Sequence, residues 1–79
     1  MMTGKDLDTR PATGELILER RPKVEQRTGL RRSEIYRRVS LGTFPAPVKL
    51  GERASAWDSR EIDKWIADRI AERDAKAAA

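Results

Sequence analysis

Arg31, Arg32, Ser33, Tyr36, Arg37 and Arg38 fall within eight consecutive residues, and their shared chemistry is anion recognition. A guanidinium presents a rigid fork of N–H donors that matches a phosphate or the O6/N7 edge of guanine, and serine and tyrosine hydroxyls can bond a phosphate oxygen. Nothing points to catalysis with comparable force. The chain has neither cysteine nor histidine, and it carries no Gly-rich phosphate loop. Asp58, Glu61, Asp63, Asp68 and Glu72 are explained by a helix cap and a solvated helix face. An enzyme, a metal site, a cofactor and a small-molecule ligand are therefore not expected.

Side chains that read an anion must be held on a rigid element, and the sequence around them supplies one. Ile35 and Val39 lie four apart, so they share one face of a helix running from about Arg31 to Leu41, with Ser33 and Arg37 on the opposite face. Upstream, Pro22 suits the first position of a short helix and Gly29 the left-handed residue after its end, with Val24 buried and Leu30 in the turn. Two short helices joined by such a turn read as a helix-turn-helix. Leu41 to Pro47 cannot continue the second helix, because Pro45 and Pro47 fix φ and push their neighbours towards extended backbone. Val48-Lys49-Leu50, a turn at Gly51-Glu52-Arg53, and Ala54 to Trp57 then predict a two-stranded hairpin, a wing spanning about Val48 to Trp57.

The last helix has the clearest start signal. Asp58 predicts an N-cap with Glu61 as its capping-box partner, and Trp57 and Ile62 predict a hydrophobic staple. Ile62, Trp65, Ile66 and Ile70 follow the spacing of one buried stripe, with Arg69 laying its stem along the stripe's edge. The expected core is Val24, Leu30, Ile35, Val39, Phe44, Leu50, Trp57, Ile62, Trp65 and Ile66. Phe44, Trp57 and Trp65 neighbour proline, isoleucine and leucine, so they are read as packing residues and not as platforms for stacked bases. Residues 1–14 lack apolar periodicity and predict a disordered lead-in. Residues 15–74 form the domain, residues 75–79 a frayed tail, and Leu16-Ile17-Leu18 an extended segment or short turn against the core.

Composition narrows the partner. With 79 residues and 38% apolar content, there is room for one small domain with a minimal core. No apolar run approaches the roughly 20 residues of a membrane span and no signal-peptide pattern is present, so a soluble, cytoplasmic protein is expected. The net charge of +4 is unevenly spread. Residues 20–53 hold ten basic and three acidic groups, against two and four in residues 1–19 and five and six in residues 54–79. A single-sign block inside a folded region suits a polyanion.

Thr28-Gly29-Leu30, Ser33, Ile35-Tyr36-Arg37, Gly42-Thr43-Phe44-Pro45-Ala46-Pro47-Val48-Lys49-Leu50-Gly51, Arg53, Trp57 and Glu61 to Ile66 resemble the AlpA-type prophage regulatory proteins. Those are small winged helix-turn-helix proteins related to phage excisionases and to the DNA-binding domain of MerR-type regulators. The resemblance covers about residues 16–67. It implies a mainly α fold of three helices with a two-stranded wing, and a transcription factor or excision factor of a prophage or other mobile element. The family pattern often places a serine just before the recognition helix, where this chain has Arg31, a poor N-cap.

Double-stranded DNA is thus the expected partner. Arg31, Arg32, Ser33 and Arg37 are the candidates for base or groove contact, and Lys23, Tyr36, Arg38, Lys49 and Arg53 for backbone contact. For Tyr36, a hydroxyl bond to phosphate and a ring edge against the core both remain open. Arg53 could instead pair with Glu52 or with an acid of the last helix. Arg20, Arg21, Lys23, Arg27 and Arg38 are expected to add non-specific attraction. A module this small gains specificity by self-association or by cooperative binding on adjacent half-sites. Two other functions fit the same elements: an excisionase-like factor that bends DNA, and an interaction adaptor that offers the Ile62–Ile70 stripe to a partner helix.

Overall fold

Pro22 and Gly29 bracket the first helix as the sequence suggests. In the computed structural model, which describes residues 16–78, α1 spans Arg21–Thr28. Gly29 takes the left-handed conformation at φ 77° and its N–H donates to the Glu25 carbonyl at 2.8 Å. A side chain there would strain the backbone. Thr28 fixes the turn that follows, since its hydroxyl donates to the Val24 carbonyl at 2.8 Å and accepts from the Leu30 N–H at 3.2 Å. The expected lead-in of residues 1–14 lies outside the described residues, as does Ala79.

The second helix, α2, spans Arg32–Leu41 and ends at Gly42, also at φ 77°. Arg31 occupies the N-cap with extended backbone and cannot accept a hydrogen bond through its side chain. Glu34 compensates by reaching back, its carboxylate accepting the Arg31 N–H at 2.8 Å. That is one half of a capping box, and it starts the helix without the serine of the family pattern.

Three strands form one antiparallel sheet: β1 (Leu18–Arg20), β2 (Val48–Gly51) and β3 (Ala54–Asp58), in the order β1-β3-β2. The wing is thus a hairpin backed by a third strand. Leu18 pairs with Asp58 and Arg20 with Ala56, which places the start of α1 beside the hairpin. Leu18 is too short a segment with its neighbours to announce itself as a strand, but β3 offers a free edge and captures it.

Val24, Ile35, Phe44, Trp57 and Ile62 close the core, with Leu30, Val39, Trp65 and Ile66 packed around them. Each helix and β3 contributes at least one fully buried side chain, so no element is stable apart from the others. The two indoles also fasten the Pro-rich connection. Trp57 donates its ring N–H to the Pro45 carbonyl at 2.8 Å and Trp65 donates to the Thr43 carbonyl at 2.9 Å. Those carbonyls belong to no helix or strand, and the tryptophans supply the missing donors.

Leu50 departs from the expected core. It is 49% exposed, because β2 is an edge strand with no layer over it and the register shifts between Lys49 and Gly51, leaving Leu50 without a partner in β3. The stripe of the last helix is also shorter than its spacing suggests: Ile70 is exposed while Ile62, Trp65 and Ile66 pack on the core. This helix, α3, spans Ser59–Ala78 and so continues past Asp74 through an alanine-rich stretch of high helix propensity. Its cap uses Asp58 but not Glu61. The Asp58 carboxylate accepts the Arg60 N–H at 2.9 Å and pairs with the Arg60 guanidinium at 3.0 Å, while the Ser59 N–H donates to the Ile17 carbonyl at 2.8 Å. No described helix is long and apolar enough to cross a membrane.

Candidate nucleic-acid interface

Helical periodicity divides α2 into two faces. Glu34, Ile35, Arg38 and Val39 are buried or half-buried, whereas Arg32, Ser33, Tyr36, Arg37, Ser40 and Leu41 are all exposed, as is Arg31 at the cap. Ten residues make a rod of about 15 Å, and such a helix fits a major groove about 12 Å wide. The side anchored by Ile35 is fixed to the core, so the outer side is presented rigidly.

Arg31, Arg32 and Arg37 form no ion pair with any described residue, and neither do Lys49 and Arg53 on the wing. Arg53 therefore pairs neither with Glu52 nor with an acid of α3. Arg32 lies 5.9 Å above the Tyr36 ring, a cation–π contact that holds its guanidinium against the helix surface. Of the two readings left open for Tyr36, the structure bears on the ring edge against the core. Its ring meets the Trp57 ring at 6.2 Å between centroids, and it remains 40% exposed.

Other cations are placed differently from one another. Lys23 is exposed on α1. Arg38 is half-buried on the α3 side of α2, its guanidinium 6.0 Å from the Trp65 ring, and Arg69 covers the same ring at 5.1 Å. Arg27 is not available for diffuse attraction, contrary to its expected role. It donates to Glu19 at 2.8 Å and pairs with Asp63 as well, tying β1, α1 and α3 together. These two carboxylates, Glu19 first, hold the Arg27 guanidinium more basic than usual.

Arg20 and Arg21 are the residues that sequence reasoning valued least. The β1–β3 register and the start of α1 bring both next to Tyr36, Arg53 and Ser55 around a small pocket. Their position just before Pro22 was a usable signal, since a helix start fixes the direction of its first side chains. Arg21 is kept in place by Glu25, one turn on, at 2.8 Å. That carboxylate foremost, and the Tyr36 phenol oxygen to a lesser degree, raise the Arg21 guanidinium above its ordinary basicity.

The exposed basic helix, its turn and the hairpin beside it coincide with what similar proteins share. Residues 17–70 match the family described as Prophage CP4-57 regulatory protein (AlpA). Over 52 residues, 66% of this chain, the sequence is 44% identical to Uncharacterized protein ORF88 of Enterobacteria phage P4, and the match covers 59% of that protein's length. The matched span runs from β1 to the middle of α3 and includes each element that builds the α2 face. The chain belongs to the AlpA family of prophage regulatory proteins.

Proposed function

We propose that this protein is a sequence-specific, double-stranded DNA-binding transcriptional regulator of a prophage or related mobile element. The observation that carries the reading is the outer side of α2, where Arg32, Ser33, Tyr36 and Arg37 are exposed on a rigid helix and the arginines have no carboxylate partner among the described residues. In this reading α2 lies in the major groove. Arg32 and Arg37 bond guanine edges, Ser33 bonds a base or phosphate, and Arg31 reaches the groove wall at the helix start. The β2–β3 hairpin follows the neighbouring backbone, with Lys49 and Arg53 on phosphates or in the minor groove. Lys23 and Arg38 add backbone contacts at the edges of the footprint.

The packing of α3 argues against an adaptor role for that helix. Ile62 is fully buried and Trp65 and Ile66 pack on the protein's own core, so of that stripe only Ile70 is left exposed for a partner helix. One domain of this size covers a short stretch of duplex. Two copies on half-sites about one helical turn apart would supply the remaining specificity.

Selection of bound sequences from a pool of random duplexes tests the proposal directly. A defined consensus should emerge, and affinity for it should fall with salt at a log–log slope of about −4 to −5 if four to six phosphates are contacted per protomer. A pool that stays random after repeated selection, or an affinity indifferent to salt, would refute it.

A further inference from the structure

A pocket of about 220 Å³ opens where the sheet, α1 and α2 meet, lined by Arg20, Arg21, Pro22, Tyr36, Arg53 and Ser55. Three guanidinium-bearing residues reach it from two parts of the chain: Arg20 and Arg21, adjacent where β1 runs into α1, and Arg53 in the turn between β2 and β3. No carboxylate is among the lining residues. Arg20 and Arg53 are exposed and make no ion pair or side-chain hydrogen bond with a described residue. Arg21 is oriented by Glu25, which stands outside the lining. Like charges gathered this way repel one another until an anion enters.

We infer that this pocket seats one backbone phosphate of duplex DNA, clamped by Arg20, Arg21 and Arg53 and bonded by the hydroxyls of Tyr36 and Ser55. The inference rests on the DNA-binding reading above and adds the residues that fix where the protein sits on the duplex. Guanidinium forks match phosphate oxygens in pairs, and hydroxyls complete the shell without adding charge. α1 begins at the pocket lip with no side-chain cap, so the positive end of its dipole adds to the same field. The location selects the source of the phosphate. Tyr36 belongs to the outer side of α2 and Arg53 to the wing, so a duplex lying on both must carry its backbone over the opening.

A larger groove of about 800 Å³ between the end of α2 and α3 is a poorer anion site. There the carboxylates of Asp68 and Glu72 share the lining with Arg37, Arg38 and Arg69 and would oppose a bound anion.

The test uses the full chain, its Arg20→Ala/Arg53→Ala variant, and duplexes in which one phosphate at a time is replaced by a neutral methylphosphonate. For the wild type, one position should stand out, weakening binding about 10- to 100-fold. The double variant should be weaker by a similar factor on the unmodified duplex, be indifferent to neutralisation at that position, and show a salt slope shallower by about 1. Arg53→Ala alone gives the same readout if the double variant folds poorly, because Arg53 lies in an exposed turn. Equal sensitivity of wild type and variant at every phosphate would overturn the assignment while leaving DNA binding intact. Stabilisation of the wild type alone by inorganic phosphate, with an unchanged methylphosphonate pattern, would reassign the pocket to a free anion and overturn it too. Loss of the DNA-binding reading itself has a different signature, namely an Arg32→Ala/Arg37→Ala variant that binds with wild-type selectivity.

Discussion

The outer face of α2 and the charged surface of α3 are both helical and rich in charge, yet they handle their cations in opposite ways. On α3, Lys64 pairs with Asp68 at 2.9 Å, Arg69 with Glu72 at 2.5 Å and Arg73 with Asp74 at 2.8 Å. On α2 and its cap, Arg31, Arg32 and Arg37 have no such partner among the described residues. Exposed pairs of the α3 kind contribute about 0–1 kcal/mol each, so their function is chiefly to keep a surface soluble and electrically quiet. An unpaired arginine on a rigid helix keeps its field and its donors for something outside the molecule. The contrast lies in the placement of acids, since exposed basic residues stand in both regions.

Removing the platform under both regions has the largest expected effect. Trp57→Ala deletes a fully buried indole and its bond to Pro45, at a cost of about 3–5 kcal/mol. A domain this small has little stability to spare, so circular dichroism should find the variant unfolded at 25 °C. Next is the direct comparison of arginines. Arg32→Ala/Arg37→Ala should lower affinity for the selected duplex at least about 30-fold, at 1–3 kcal/mol of discrimination per contact. Lys64→Ala/Arg73→Ala should change it by less than about twofold, with both variants melting within a few degrees of wild type. Equal losses from the two pairs would erase the distinction drawn between the helices.

A milder change converts α2 to the arrangement of α3. Ser33→Glu places an acid one turn before Arg37 and in the first turn of the helix, which should raise stability by about 0.3–0.5 kcal/mol. Yet it should weaken DNA binding about tenfold, measured by fluorescence anisotropy, because a carboxylate then competes with the duplex for Arg37. The smallest effect concerns the join between wing and α3. The Arg60 side chain, then its backbone N–H, hold the Asp58 carboxyl below its ordinary value. A depressed folded-state pKa contributes stability above the unfolded value of about 3.9 and loses it as pH falls through the folded value. Asn caps helices as well as Asp does. The melting-temperature gap between wild type and Asp58→Asn should therefore be constant from neutral pH to about pH 5 and close in more acidic buffer, as followed by circular dichroism.

Much of the fold was legible in local chemistry. Pro22, Gly29 and Gly42 mark helix limits through backbone preferences that act within a few residues, and the spacing of Ile35 with Val39 foretells which side of α2 is free. Leu50 was misread because alternation in a strand says which residues share a face but not whether anything covers that face. Ile70 failed for the same reason: its spacing continues the stripe, but the core ends before reaching it. Arg27 looked like Arg32 in sequence, and only the approach of Glu19 and Asp63 from other elements distinguishes them.

By itself, the sequence determined which segments are helical, where α1 and α2 stop, and which residues are apolar enough to meet in a core, because those are consequences of φ limits and periodicity. Tertiary structure alone decided that a third strand supports the wing and that one set of arginines is neutralised while another is left free. It also decided that Arg53 comes to share one pocket with Arg20 and Arg21, more than thirty residues before it. The physical reason is that charge pairing and convergence depend on distances between elements, which local propensities do not specify.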